Sequence, residues 1–278
     1  MISVVTPSFN CATYIRQCIE SVLVQDYENF EHIVIDGGSE DGTVEILKQY
    51  PHIKWISEPD KGEAEALNKA LRMVRGDIIG WLNADDYYLE NVFHKVAQEM
   101  DPQQRRHVIY GKTNIVDEEG KFLGLAIPIS PVTLERLLRW FYGFQMFQPS
   151  IFYSNELVKE VGFFREDLYF SVDYDYWLRI VAKEYEFHFV EQVFANARLF
   201  RVNSKSKTQL SVQMRSWHST SKSYLKFLSF GGRIKFWKEY YAYCFYHQTI
   251  MPLRARLRLR TRLKKTLQTV RWKVHGAL

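Results

Sequence analysis

The sequence predicts an α/β protein: a half of the Rossmann type built from parallel βαβ units, a second α/β half, and a basic helical extension. Three observations carry this. Short apolar runs recur at 2–6, 30–35, 53–57 and 77–82, and each is followed by a stretch with helical spacing or composition. After residue 105 strand-like runs follow one another more closely, as in a mixed sheet. Charge is divided unevenly: residues 1–204 hold 20 basic and 31 acidic side chains, whereas from Lys205 onward there are 17 basic residues and one acid, Glu239. The expected division is 1–104, 105–205 and 206–278.

Taken in order, Ile2 to Thr6 reads as a buried strand stopped by Pro7. Ile15, Ile19, Val22 and Leu23 fall on one helical face, with Asn10 or Thr13 as the cap. Phe30 to Ile35 is a second strand, stopped by Asp36-Gly37-Gly38. Thr43 to Tyr50 reads as a helix, with Ser39 or Asp41 near its start. A strand at 53–57 precedes a helix over 63–74. The strand at 77–82 runs into the loop Asn83-Ala84-Asp85-Asp86, and a helix covers 89–100. In the second half, strands are expected at 108–110, 113–116, 122–126, 150–153 and 187–190. Helices are expected at 132–141, 156–161 and 173–183. From about Ser206 the chain is aromatic, basic and helical in composition.

Composition narrows the classes further. The three cysteines, Cys11, Cys18 and Cys244, are odd in number and form no CxxC, which speaks against a disulfide framework and for a reducing compartment. No export signal precedes the first strand, and no apolar run reaches the length of a membrane span. The expected location is therefore cytoplasmic. The net charge is +5, but an acidic body that binds a diphosphate needs a cation, and the basic end suits an anionic surface.

Ligands of open α/β sheets bind beyond the carboxyl ends of the strands. That rule gathers Thr6-Pro7, Asp36, Ser57-Glu58 and Asn83 to Asp86 around one crevice. Asp36 with its glycines can accept hydrogen bonds from a base or ribose, or simply form a turn with a helix cap. Asp85-Asp86 at a strand end suits Mg2+ or Mn2+, against the plainer reading of a solvated loop. Asp173-Tyr174-Asp175 offers a general base, against the plainer reading of carboxylates that favour a helix N-terminus.

Together these pieces resemble the family 2 glycosyltransferases of the GT-A fold over roughly residues 1–205. The matching stretches include Val5-Thr-Pro-Ser-Phe-Asn10, Ile33-Val-Ile-Asp-Gly-Gly-Ser39, Glu58-Pro-Asp-Lys-Gly62, Gly76-Asp-Ile-Ile-Gly-Trp-Leu-Asn-Ala-Asp-Asp86, Gln148-Pro-Ser150 and Asp173-Tyr-Asp-Tyr-Trp-Leu-Arg179. The resemblance implies an inverting transferase acting on a nucleotide diphosphate sugar, with UDP as the carrier. It implies that Thr6 and Pro7 line the nucleoside pocket, that Asp36 bonds the base, and that Asp60 and Lys61 lie near the ribose or diphosphate. Asn83-Ala84-Asp85 stands in the place of the family's D-x-D, which makes Asp85 the ligand of Mg2+ or Mn2+ and leaves Asn83 uncharged. Gln148 is implied on the sugar or acceptor side. Val172 stands where many relatives carry Glu, so Asp173 and Asp175 both remain candidates for the base, with Asp173 favoured.

The acceptor implied is a hydroxyl of a glycan or a lipid-linked sugar, in surface polysaccharide assembly. Between 253 and 274, Leu253, Leu257, Leu263, Leu267, Val270 and Val274 form a helical stripe flanked by Arg254, Arg258, Arg262 and Lys265. Such a helix lies on anionic lipid or packs on the catalytic domain or a partner. Nucleic acid is disfavoured, because no nucleic-acid-binding motif accompanies the charge. The competing functions are a non-catalytic nucleotide-sugar sensor and a metal-dependent nucleotidyltransferase. The latter lacks its Gly-rich basic loop after the first strand.

Overall fold

The structure is a computed structural model that describes residues 1–142, 146–200 and 210–246. The chain separates into two compact units, Met1–Phe227 and a second beginning at Leu228. In the first unit the amino-terminal half runs β1 (Ile2–Ser8), α1 (Ile15–Leu23), β2 (Phe30–Asp36), α2 (Thr43–Leu47), β3 (Ile53–Ser57), α3 (Glu63–Leu71) and β4 (Ile78–Trp81). Then follow β5 (Tyr87–Tyr88), α4 (Val92–Glu99), β6 (Val108–Val116), β7 (Phe122–Ala126), α5 (Leu134–Leu137), β8 (Ile151–Ser154) and α6 (Asn155–Val161). The unit closes with α7 (Val172–Ala182), β9 (Phe187–Arg198) and α8 (Leu210–Tyr224). The described part of the second unit is α9 (Phe230–Phe245).

Among the described residues one sheet has the order β3-β2-β1-β4-β8-β6-β9-β5, with β7 paired to β6. The first four strands are parallel, and β8 joins β4 antiparallel. The fold is the α/β arrangement expected of a GT-A domain. Helix α1 shows how the sequence builds the core. Its buried Ile15, Cys18, Ile19 and Val22 recur every three to four residues. Ile15 and Ile19 join Val34, Leu47 and Ile53, while Cys18 and Val22 join Ile2, Val4, Phe93, Phe152 and Phe194. Gln25 then ties α1 to α4. Its Nε2 donates to the carbonyls of Ser21 and Leu89, and its Oε1 accepts from the N–H groups of Val92 and Phe93. It thereby serves a helix start that has no side-chain cap of its own.

Several elements differ from the expectations, each for a local reason. β1 continues through Pro7 to Ser8, because pairing with β4 ends at Val5↔Trp81 and the missing N–H costs no ladder bond there. Helix α1 begins at Ile15 without a side-chain cap. Asn10, at φ 50°, instead accepts from the N–H of Glu40. The expected helix at 132–141 is one turn, α5, capped by Thr133, followed by a 3-10 turn at Trp140–Tyr142. β9 extends to Arg198, past a register shift against β6 at Tyr110/Lys112. Helix α8, expected in the extension, belongs to the first unit. Ser216 and Thr220 bond Ser171, Ser221 bonds Tyr174 and Trp140, and all of these partners lie on or near α7. The expected stripe at 253–274 lies outside the described residues.

Candidate active site

The parallel register brings Ser8, Asp36 and Ser57 level at the carboxyl edge of the sheet. Asp36 is fully buried. Its Oδ2 accepts from the N–H groups of Gly38 at 3.2 Å and Ser39 at 2.9 Å and from the Ser57 hydroxyl at 2.7 Å. Its Oδ1 accepts from the Ser39 hydroxyl at 2.5 Å. Asp36 thus shapes the loop whose Gly38, at φ +82°, needs a residue without Cβ. Asp60 folds over the same turn: a Cβ on Gly37 would sit 3.0 Å from its Oδ2. Burial pushes the Asp60 carboxyl up, while the N–H of Gly62, donating to Oδ1 at 2.8 Å, works the other way. The Lys61 side chain is exposed beside it.

Pro7 is half-buried at this edge, but Thr6 is not part of it. The Thr6 hydroxyl is enclosed, 2.9 Å from His32 Nε2 and 3.9 Å from Cys18 Sγ, under α1. Strand alternation turns it into the core, which corrects the expectation that it lines a nucleoside pocket. Cys11 marks how near the acidic loops lie to one another. Its thiol is pushed up to about 12, first by burial and then by the charges of Asp85, Asp41 and Asp36.

Beyond β4 the backbone turns, with the Asp86 N–H donating to the Asn83 carbonyl at 3.0 Å. The Trp81 indole N–H donates to Asn83 Oδ1 at 2.7 Å, fixing that side chain. Asp85 and Asp86 follow. Desolvation raises both carboxyls, and the charge of Asp85 raises Asp86 further. The compensation present is modest: Asp86 Oδ1 accepts from the Arg198 N–H at 2.8 Å, and the Arg198 charge favours both ionised forms. The Arg198 guanidinium lies 4.6 Å from the Tyr14 ring centroid and 5.3 Å from that of Tyr87. Its Nη2 donates to Gln17, while Nε and Nη1 are buried without a hydrogen-bond partner among the described residues.

Among the described residues no three His, Cys, Asp or Glu side chains converge on one point. The pair fits a divalent cation nonetheless. Mg2+ and Mn2+ bound with a diphosphate need only one or two protein carboxylates, and a cation relieves the repulsion that raises these two.

A second group of side chains connects to the same strand end. Gln148 lies in a 3-10 turn, Gln148–Ser150, and its Nε2 donates to the Trp81 carbonyl at 2.5 Å. Its Oε1 is buried without a partner among the described residues. The Trp81 ring packs on Phe164 at 5.1 Å, and Phe164 on Tyr176 of α7 at 4.3 Å. Asn68 of α3 holds Phe164 in place through its backbone N–H and carbonyl.

Asp173 and Asp175, two residues apart on α7, have different surroundings. Asp175 is fully buried. Arg179 Nε lies 3.0 Å from its Oδ2, while Oδ1 takes the Tyr224 hydroxyl at 2.9 Å and faces Arg165 at 3.7 Å. Expected on the acceptor side, Asp175 is instead enclosed with both oxygens engaged. Asp173 is half-buried with no cation paired to it in the structure described. Its Oδ1 accepts from the Tyr174 N–H at 2.7 Å, and burial pushes the carboxyl up to about 6.

Sequence reasoning placed Ser57 at the crevice and Ser39 at the following turn, but not their bonds to Asp36, and it missed Arg198. The bond from Ser57 was readable from the parallel register, which sets it level with Asp36. Arg198 was hidden because β9 was expected to stop at Val190.

Comparison with known proteins bears on the family and the fold. The sequence description "Glycosyl transferase family 2" matches residues 3–160. An uncharacterized glycosyltransferase of Rickettsia felis is 29% identical over 219 residues, covering 74% of this chain and 35% of the relative. This chain therefore spans about a third of that relative's length. The S. aureus TarS 1-349 structure in complex with UDP-GlcNAc superposes with a TM-score of 0.66 at 20% identity, over 88% of this chain and 72% of that one. The Pyrobaculum calidifontis mannosyltransferase PcManGT, in complex with GDP-Man and Mn2+, gives 0.60 at 18% identity, over 80% and 64%. At these identities the two structures speak for the fold alone. With more than half of its length matched by the family description, this chain belongs to glycosyl transferase family 2.

Proposed function

We propose that this protein transfers a sugar, with inversion, from a nucleotide diphosphate donor to a hydroxyl of a glycan or lipid-linked acceptor in surface polysaccharide assembly. The observation that carries the reading is the contrast on α7. Asp175 is locked by two arginines and a tyrosine, while Asp173 is half-buried, with no cation paired to it among the described residues, and raised to about 6. A base with that value is ionised at neutral pH and still basic enough to accept a proton. Asp173 takes the proton of the acceptor hydroxyl. The acceptor oxygen forms the new bond to the anomeric carbon on one face, while the bond to the diphosphate oxygen breaks on the other, and the nucleotide diphosphate departs with the electron pair.

Asp85, with Asp86 behind it, would hold Mg2+ or Mn2+, which supplies positive charge to the departing diphosphate. Asn83, Asp60 and Lys61 face the ribose and diphosphate. Asp36, expected to bond the base, is fully buried with both oxygens engaged and instead keeps the nucleoside loop in shape from beneath, with Pro7 at its edge. Gln148 Oε1, buried and unpartnered, takes a hydroxyl of the sugar or acceptor. The donors named in the TarS and PcManGT structures make UDP- and GDP-sugars the first candidates, with UDP favoured by the family motifs. A lipid-linked acceptor places the protein on the periphery of a membrane, and no described helix is long and apolar enough to cross one.

Incubation with UDP- and GDP-sugars, Mn2+ and a library of acceptor glycans, followed by nucleotide release, tests the reading. Acceptor-dependent release that Asp173→Asn lowers roughly 10²–10⁴-fold is the expected result. Tight donor binding with no transfer to any acceptor would make the protein a nucleotide-sugar sensor.

A further inference from the structure

The second unit carries an apolar surface that the transfer reaction does not use. Helix α9 starts at Ser229, whose hydroxyl accepts from the Gly232 N–H at 3.1 Å, and runs through FGGRIKFWKEYYAYCF. At about 100° per residue, Phe230, Ile234, Tyr241 and Phe245 fall within an arc of roughly 60°. They are 73%, 54%, 63% and 60% exposed. Trp237, beside the arc, stacks on Tyr241 at 5.6 Å. Phe236, Tyr240 and Tyr243 occupy the opposite side, where Phe236 is buried. A helix on a protein surface normally shows water a polar face. This one has an apolar face on each side.

The charges around the exposed arc are of one sign. Arg233 borders it on one side and Lys238 on the other, Lys235 is exposed beyond, and the helix's one acid, Glu239, lies opposite. From Leu228 onward the sequence holds 12 basic residues and one acid. Two copies of such a face would repel each other, whereas an anionic surface attracts it. The 16 residues reach about 24 Å, and with their charges they are too short and too polar to span a bilayer. Aromatic side chains with basic flanks suit the headgroup level instead.

We infer that α9 is an interfacial anchor that lies flat on anionic phospholipid, with Phe230, Ile234, Tyr241 and Phe245 inserted among the acyl chains and Arg233, Lys235 and Lys238 at the headgroups. This rests on the peripheral-membrane reading above and names the surface that makes the contact.

Flotation of the full chain with phosphatidylcholine vesicles, with and without about 30 mol% phosphatidylglycerol, tests it. The wild type floats with the anionic vesicles. The double variant Phe230→Ser/Phe245→Ser loses about tenfold in partition coefficient. Phe122→Ser, at an exposed position on β7, changes nothing. Equal flotation of the double variant and the wild type overturns the assignment of α9 while leaving membrane binding intact. Failure of the wild type to float overturns the peripheral reading as well. Sedimentation velocity on the same samples adds a third check: a wild-type dimer that the double variant converts to monomer would make the stripe an interface between copies and overturn the proposal.

Discussion

Replacing Asp173 by Asn should move activity and stability in opposite directions, and the size of each effect follows from its environment. The carboxyl rises from its ordinary 3.8 to about 6 because folding desolvates it. Such a rise corresponds to roughly 3 kcal/mol, an upper bound for a half-buried group. Because the folded-state value is raised, the fold binds this proton more tightly than the unfolded chain. There is no penalty below pH 3.8. One develops as pH rises towards 6, and it is complete above that value, where the ionised carboxylate opposes folding. The amide introduced by Asp173→Asn is uncharged at every pH. At pH 7.5 the variant should therefore be more stable by up to about 3 kcal/mol, or on the order of 10 °C in melting temperature. At pH 4 the two proteins should melt nearly together. Turnover at pH 7.5 should fall roughly 10²–10⁴-fold, and the loss of wild-type kcat below about pH 6 should disappear from the residual activity. Thermal melts at both pH values, with nucleotide release followed from pH 5 to 8, measure all of this. A variant with near-wild-type turnover, or one destabilised at pH 7.5, refutes the reasoning.

Three further outcomes follow from neighbouring geometry. Asp175→Ala strands Arg179 beside an empty buried site and should cost about 3 kcal/mol in urea unfolding. That is the lower end of the usual range, since Arg165 is 44% exposed and partly screened; a loss under about 1 kcal/mol would contradict the locked role. Gly80→Ala places a Cβ 2.7 Å from Phe152 Cε1 and from the Tyr88 hydroxyl. It should destabilise by about 1–3 kcal/mol in the same assay, and a neutral result would show that the aromatic stack yields. His32 is buried, and its pKa is lowered to about 3 from 6.5. The unfolded chain alone takes up that proton as pH falls below 6.5, so stability drops towards pH 3. In His32→Gln the drop between pH 6.5 and 4 should be smaller than in the wild type, and an identical pH profile would refute this.

The parts of the molecule legible in the sequence are those where one physical rule dominates. β1, β2 and β4 are buried on both faces, so they read as continuous apolar runs, whereas the edge strand β3 buries only Ile53; polar or proline residues follow each run, at Pro7-Ser8, Asp36, Ser57 and Asn83. Once the strands are placed, their parallel order fixes the crevice. Side-chain direction was harder. The alternation that buries Val4 also buries Thr6, and a motif match alone points Thr6 at the ligand. Asp175 shows a different limit. Its Arg179 partner sits four residues on and was readable, but Tyr224 comes from a helix that composition assigned to the basic extension. Arg198 was invisible because β9 passes through the polar pair Glu191-Gln192 at a register shift, where apolar periodicity stops. Composition did announce a basic, aromatic end, but only the exposure along α9 separated its two faces.

The central claim is that the crevice at Asp36 and the Asp85-Asp86 pair binds a nucleotide diphosphate through a divalent cation. Calorimetry with UDP and GDP in Mn2+, in Mg2+ and in EDTA, on the wild type and on Asp85→Ala, addresses it directly. The account predicts binding of one nucleotide in the presence of metal, lost in EDTA and lost in Asp85→Ala. No nucleotide binding under any condition, or affinity unchanged by EDTA and by the substitution, would contradict it.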